Sequence, residues 1–223
     1  MKGPSIFIGS LEIAEFMGTL TDILLAFLSL YFANKLSKMG GESGTRKLLL
    51  WHFYLLAFST FVGGVLGHGF LYALGMTAKI PSWLTSIASV FALELVVLRL
   101  VGAHIPKKFY LFAAALASAL ALSTSILSIW SMKFLWVGVH TAFGLLFIVG
   151  GFGFVMIGKK LFTQVFVYFW LGIGFSALAA LIFVLKIAPM NWFNHLDLSH
   201  LILGLATSFF YLGAKELLKA TSS

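Results

Sequence analysis

Apolar residues run along this chain in seven long stretches that are separated by short polar connections. The stretches lie at about residues 9–33, 48–73, 83–103, 109–130, 134–157, 163–186 and 195–214. Each is close to the ~20 residues that an α-helix needs to cross the hydrocarbon core of a bilayer. Because the connections are short, consecutive helices are expected to be antiparallel neighbours. The pattern predicts an all-α integral membrane protein, with residues 1–223 forming a single bundle of seven transmembrane helices.

The composition agrees with this fold class and excludes others. Hydrophobic residues make up 61% of the 223 residues and charged residues 10%, whereas soluble proteins carry about 25% charged residues. The formal net charge of +8 does not indicate nucleic-acid binding, because the basic residues stand in the short connections, where they set topology. We therefore expect membrane lipids, and no nucleic acid, as partners. The chain has no cysteine, so disulfides and thiolate chemistry are excluded.

Lysine and arginine are unevenly divided between the two alternating sets of connections. The poorer set holds four: Lys2, Lys79, Lys133 and Lys186. The richer set holds ten: Lys35, Lys38, Arg46, Lys47, Lys107, Lys108, Lys159, Lys160, Lys215 and Lys219. Short cytoplasmic connections are enriched in positive charge. This bias predicts a multi-pass protein with its N-terminus outside and its C-terminus in the cytoplasm, and it leaves open which membrane holds it.

Acidic residues and histidines collect at one predicted depth, in the outer halves of four helices. They are Glu12, Glu15 and Asp22 in the first helix, His68 in the second, His140 in the fifth, and His195, Asp197 and His200 in the seventh. At about 100° per residue, the three acids of the first helix and Thr19 share an arc of about 80°. A polar stripe of this kind is too costly to face lipid, so it should face the bundle interior.

Residue types and spacing in the seventh helix point to a bound cation. Asp197 and His200 are separated by about 60° of arc and can address one point, whereas His195 is about 140° from His200 and could join only at an irregular helix start. Histidine and carboxylate side chains are ordinary zinc ligands, and a catalytic zinc site keeps one position open for water. Four acids at one depth, with no lysine or arginine beside them, would repel one another unless protonated or metal-bound.

Short motifs in the first, second and seventh helices resemble those of a known superfamily. Residues 14–22 read AEFMGTLTD, residues 63–68 read GGVLGH and residues 197–201 read DLSHL. They are similar, respectively, to the opening motif, the second-helix histidine motif and the last-helix histidine motif of alkaline ceramidases. These belong to the CREST superfamily, which also includes the progestin and adipoQ receptors. The resemblance implies a seven-helix bundle with a buried zinc that activates water against an amide or ester of a lipid.

Carried over by position, the resemblance implies site residues but leaves the third zinc ligand open. His68 and His200 would be zinc ligands, and Glu15 would match an acid that binds calcium. Where the superfamily has a histidine, a serine and an aspartate, this chain has Leu196, Gly64 and Lys79. The metal set would then be completed by Asp197 or His195, with Asp22 and Glu15 as general base or supporting acids. The surrounding polar residues would be Glu12, Thr19, Ser199 and His140.

The leading hypothesis is a zinc-dependent intramembrane hydrolase that cleaves an amide or ester bond of a lipid-like substrate, as ceramidases do. A second class remains open: a metal-binding receptor without turnover, or a proton- or cation-handling protein that uses the same carboxylates and histidines. A relay needs ionisable groups across the whole membrane, and only Glu94 continues inward from the cluster. A scaffold with a vestigial polar core is the third reading.

Overall fold

Seven long helices, the number predicted, dominate the computed structural model, which describes residues 5–190 and 192–222. Their bounds are α1 Phe16–Ser37, α2 Ser43–Gly69, α3 Met76–Val101, α4 Lys107–Ser131, α5 Leu135–Gly158, α6 Thr163–Leu185 and α7 His195–Ala220. By length and composition, each can cross a membrane. The described part of the chain is therefore that of an all-α, multi-pass membrane protein.

The first helix begins at Phe16, not at residue 9, because the chain before it forms a β-hairpin. Strands β1 Ile6–Ile8 and β2 Leu11–Ile13 pair antiparallel across a two-residue connection. Gly9 has φ 62° there, a conformation that tight hairpin turns require and that glycine adopts without steric cost. As a correction to the predicted helical stripe, Glu12 therefore lies on β2 and Glu15 precedes α1, so only Thr19 and Asp22 share its helical face.

Helix α2 begins at Ser43, five residues earlier than predicted, because Glu42 caps it. The Glu42 carboxylate accepts hydrogen bonds from the backbone N–H groups of Gly44 and Thr45, at 2.9 and 2.7 Å. It also accepts two from the Arg99 guanidinium at the end of α3, both at 2.9 Å. These groups hold the pKa of Glu42 well below its usual range. The Arg99 guanidinium has the largest effect, and the two backbone N–H groups have the next largest. This cap thus joins two helices at one end of the bundle.

Several contacts show which connections share that end. Gly41 lies against Leu218 near the end of α7, and the Lys159 ammonium donates a 2.8 Å hydrogen bond to the backbone carbonyl of His104. The connections α1–α2, α3–α4 and α5–α6 therefore meet near the C-terminus. The hairpin, the last turns of α2 and the start of α7 lie at the opposite end, which we call the hairpin end.

Small residues allow the helices to approach closely. This is usual in membrane proteins, because helices surrounded by lipid associate by close packing rather than by the hydrophobic effect. A Cβ at Gly213 of α7 would overlap the Phe169 ring of α6. A Cβ at Gly172 would lie 2.9 Å from the Phe210 ring in the same interface. Both rings belong to the central cluster of buried side chains. The α6–α7 pair thereby fixes the position at which α7 enters the bundle.

Two helices contain a π-helical segment, Gly63–Gly69 in α2 and Gly144–Gly151 in α5. Such segments are rare in proteins, but those that occur often lie at functional sites. Each begins beside a buried carboxylate: Gly63 and Gly64 lie against Asp22, and Gly144 lies against Glu94. These two places are the polar centres of the molecule that are described below.

Candidate metal site

Three helices bring Asp22, His68 and His200 together at the hairpin end. One ligand atom from each side chain lies within 4.8 Å of the others. The Nε2 atoms of His68 and His200 lie 3.8 and 3.5 Å from the two carboxylate oxygens of Asp22. We call these residues the metal triad. In the part of the chain that the structure describes, no other group of three histidine, aspartate or glutamate side chains meets this spacing.

The spacing of the metal triad is close to that of a formed metal site. Zinc binds histidine nitrogen and carboxylate oxygen at about 2.0–2.2 Å in a tetrahedral arrangement, which places neighbouring ligand atoms about 3.3 Å apart. The distances from Asp22 to the two histidines, 3.5 and 3.8 Å, and the 4.8 Å within which all three ligand atoms lie, are wider than that value, so the side chains must rotate inward to close on an ion. Asp22 is buried, and both histidines are partly buried with 13% of each side chain exposed. The metal triad could therefore hold a metal ion.

Glu15 orients the first histidine. Its Oε2 lies 2.6 Å from Nδ1 of His68, so the ring donates from Nδ1 and turns the lone pair of Nε2 toward Asp22. Carboxylates commonly fix the histidines of metal sites in this way. Glu15 has φ 46°, a left-handed conformation that is uncommon for a residue with a side chain and often found at functional sites. A 3.0 Å hydrogen bond from Ala14 N to Gly69 O ties this strained backbone to the π-helical segment.

Thr21 orients the second histidine. Its Oγ1 lies 3.0 Å from Nδ1 of His200 and also 3.0 and 3.1 Å from the carbonyl oxygens of Met17 and Gly18. A hydroxyl has one proton to donate, and the carbonyls can only accept it. Thr21 therefore accepts from the Nδ1 proton of His200, which leaves Nε2 as a lone-pair donor facing Asp22. Both histidines of the metal triad thus offer the same nitrogen to the same point.

Asp22 reaches this point because α2 has no side chains where α1 crosses it. A Cβ at Gly64 would lie 2.6 Å from the Asp22 Cβ and 3.1 Å from the Thr19 carbonyl oxygen. Thr19 donates a 3.2 Å hydrogen bond to the Gly64 carbonyl oxygen. Thr19 therefore holds the two backbones together, while Asp22, expected as a base or supporting acid, takes part in the ligand set.

Asp197, expected as a metal ligand, lies outside the metal triad and caps its own helix with one carboxylate oxygen. Its Oδ2 accepts a 2.6 Å hydrogen bond from Asn194 N, and Asn194 accepts one from Leu196 N at 2.8 Å, which together form a capping box at the start of α7. Such boxes satisfy N–H groups that the helix itself leaves unpaired. The other oxygen, Oδ1, is buried without a hydrogen-bond partner among the described residues. It lies 3.6 Å from the Cβ position of Gly18, beside the metal triad.

The remaining residues that were expected at the site lie around or away from it. His195 packs its ring on Phe183, with centroids 5.7 Å apart, and is outside the metal triad. Glu12 accepts a 2.7 Å hydrogen bond from Ser5 on the hairpin. Ser199 is buried and donates to the Leu196 carbonyl of its own helix. His140 lies against Glu94, with His140 Nε2 and Glu94 Oε1 3.6 Å apart, so the structure does not bring it to the metal triad.

Lys79 adds a positive charge that the sequence motifs did not predict at the site. Its side-chain carbons lie 3.2–3.8 Å from the Cβ position of Gly67, one residue before His68. The ammonium interacts electrostatically with Glu15 and Asp22. Thr21 was also missed, because its helical phase is about 100° from that of Asp22. Its place in the polar motif of residues 14–22 was the available signal for its role.

Comparisons with known proteins place the chain in a family without assigning a role to the site. A model of DUF6962, a family of unknown function, matches residues 17–219. The chain belongs to this family. No curated protein and no solved structure matches it.

Proposed function

We propose that this member of DUF6962 is a zinc-dependent intramembrane hydrolase of the CREST superfamily, acting on an amide or ester bond of a lipid-like substrate. The observation that carries the proposal is the shared orientation of two histidines. Both offer Nε2 toward Asp22, and both are held at Nδ1, by Glu15 and by Thr21. Supporting contacts of this kind distinguish a built metal site from a chance cluster of polar residues.

The donor set suits zinc and leaves room for a reaction. Two histidines and one carboxylate are a ligand set of catalytic zinc sites, in which the fourth position is open to water. Bound there, zinc would lower the pKa of water and polarise the substrate carbonyl. Calcium is the poorer fit, because it prefers six to eight oxygen ligands. We therefore assign zinc to the metal triad and no calcium to Glu15, whose carboxylate holds His68.

Asp197 and Lys79 are the residues that we assign to the chemical step. The unpartnered Oδ1 of Asp197 would accept a proton from water as its oxygen adds to the carbonyl carbon. The same proton would pass to the nitrogen or oxygen that leaves when the amide or ester bond breaks. The Lys79 ammonium would favour the negative charge that develops on the carbonyl oxygen. Asp197 would thus act as general acid and base while its other oxygen keeps the helix capped.

The position of the site favours a lipid substrate over a soluble one. The metal triad lies on three membrane-spanning helices, and its two histidines are only 13% exposed. A substrate whose scissile bond sits just below the headgroups reaches this depth with its acyl chains still in the bilayer. Soluble esters would have to enter the hairpin end without that anchoring.

The proposal is tested by fatty-acid release from vesicles that contain the purified, untagged protein. N-acyl amides and acyl esters with long chains would be supplied in turn, with zinc present or removed by a chelator. We expect zinc-dependent release from at least one class. Asp197→Asn should retain zinc and lose at least about 100-fold in rate, the size of a general acid–base contribution. His200→Ala should lose both zinc and activity.

His140→Gln is the matched control, because this histidine lies at the other polar centre and its loss should leave the rate unchanged. Zinc-loaded wild type that hydrolyses neither class would contradict the hydrolase and favour the metal-binding receptor. Hydrolysis that survives complete zinc removal would contradict the assigned mechanism.

A further inference from the structure

A second polar centre lies inside the bundle, between α3 and α5. It consists of Glu94 and His140, which we call the buried pair. Both side chains are completely buried, and His140 Nε2 lies 3.6 Å from Glu94 Oε1. Neither belongs to the metal triad. An ionisable group at membrane depth is costly unless it has a partner, and it marks a functional site more often than chance.

The buried pair is separate from the metal triad because α3 presents different faces to the two. Ser82 and Ser89 of α3 face α2, where they contact Ser59 and His52. At about 100° per residue, these two serines share one face of the helix, and Glu94 lies about 120° around from Ser82. Among the described residues, no hydrogen bond joins these serines to Glu94, which argues against a relay that joins the two centres.

Glu94 has no partner other than His140 in the described part of the chain. Both carboxylate oxygens of Glu94 are buried without a hydrogen-bond partner, and His140 has one further interaction, with the backbone of Ile87. Glu94 packs directly on Gly144, because a Cβ there would overlap Glu94 Oε1 and would lie 3.0 Å from Val90. The two side chains therefore depend on each other.

Charge decides how the two groups can coexist in this place. An ionised carboxylate in an apolar interior is stable only when it is paired and its remaining lone pairs are hydrogen-bonded. Glu94 has one partner and no further donor within reach. A carboxylic acid that keeps its proton and donates a hydrogen bond to a neutral imidazole carries no charge and satisfies one atom of each group. An ion pair would satisfy the same two atoms, but it would place two charges in this apolar interior.

We propose that Glu94 and His140 form a buried proton-binding site, which holds one proton on Glu94, shared with Nε2 of His140, and carries no net charge. The ligand of this site is a proton rather than a metal ion, because only two candidate ligands meet here. The site is independent of the hydrolase proposal and holds its proton with or without zinc at the metal triad.

Infrared spectroscopy of the purified protein tests this directly, because a protonated carboxylic acid has a carbonyl stretch that a carboxylate lacks. Wild type at neutral pH should show this band, with a shift in heavy water. Glu94→Gln should remove it, and His140→Leu should move it to higher frequency because the acid loses its acceptor. A spectrum of wild type without the band, or a band that both substitutions leave unchanged, would overturn the proposal.

Isotope-labelled glutamate provides a measurement on wild type that does not require Glu94→Gln or His140→Leu to fold. The sequence has five glutamates, and Glu94 is the only buried one. The band should shift when glutamate is labelled in wild type and should persist in Glu15→Gln, whose carboxylate lies at the metal triad. A labelled protein without a shifted band, or loss of the band in Glu15→Gln, would also overturn the proposal.

Discussion

The metal triad and the buried pair use the same residue types and the same helix device, yet they are different kinds of site. Each combines histidine with a carboxylate beside a glycine in a π-helical segment. At the metal triad, three ligand atoms converge and two further residues hold the rings. At the buried pair, only two ligand groups meet, and no further side chain holds either of them among the described residues. The number of converging ligands and their supporting contacts, rather than residue type, separates a candidate metal site from a proton site.

The largest effect should come from filling the glycine at the buried pair. Gly144→Ala forces a methyl group into Glu94, and overpacking in a dense interior costs about 3 kcal/mol of the free energy of unfolding. Gly138→Ala on the same helix is the matched control, because no atom lies within 4 Å of its Cβ position. Denaturant unfolding in detergent measures both. Equal stabilities would show that Glu94 moves freely, and would weaken the contrast between the two centres.

Glu15→Gln should weaken the metal triad without touching the buried pair. Loss of the carboxylate that holds His68 is expected to lower zinc affinity by about 10- to 100-fold, the usual effect of removing such a support. Competition with a chromophoric chelator measures the affinity. Glu12→Gln is the control, since Glu12 bonds to Ser5 on the hairpin and should change nothing. A similar loss in both variants would point to a general effect of charge at the hairpin end.

Thr21→Val should have a smaller effect in the same direction. It removes the acceptor for the His200 Nδ1 proton, at a cost of about 1 kcal/mol for one hydrogen bond. This corresponds to about fivefold weaker zinc binding. Thr60→Val is the control with the same chemical change. Among the described residues, Thr60 bonds to carbonyl groups of its own helix, so its loss should leave zinc affinity unchanged. Equal zinc affinity in wild type and Thr21→Val would show that Thr21 does not support His200.

Lys79→Met should act weakly and in the opposite direction. The Lys79 ammonium interacts with Glu15 and Asp22, so it must repel a divalent cation between them. Its removal should strengthen zinc binding by about twofold, because Lys79 is partly buried and solvent still screens part of its charge. Lys133→Met is the control for the loss of one positive charge. Weaker zinc binding in Lys79→Met would contradict the placement of this lysine beside the metal triad.

The sequence predicted the seven spans well because each is a long apolar run whose length matches a bilayer. It failed at the start of the first helix, where apolar residues continue through a β-hairpin and hydropathy alone cannot separate strand from helix. Gly9 and Ser10 form a two-residue hairpin connection there, which is a signal for a turn. Helical phase counted from Glu12 was therefore misleading.

The predicted depth of each residue in the membrane identified the two histidines that meet at the metal triad, but it did not identify the partner of every histidine. His68 and His200 come together with Asp22, as their shared depth suggested. His140 was placed at the same depth and lies against Glu94 instead. Side chains lean toward the N-terminus of their own helix, so Glu94 reaches back to a histidine that the spacing placed elsewhere. The capping role of Asp197 competes with metal binding in a way that only the geometry of the helix start reveals.

The metal content of purified, untagged protein tests the central claim most directly. Wild type and His140→Ala, both supplied with zinc and then dialysed, should each retain about one zinc per chain, as three protein ligands and an open position imply. His200→Ala should retain less than about a tenth of this amount. Folded wild type without metal, or equal metal in wild type and His200→Ala, would contradict the assignment of the metal triad.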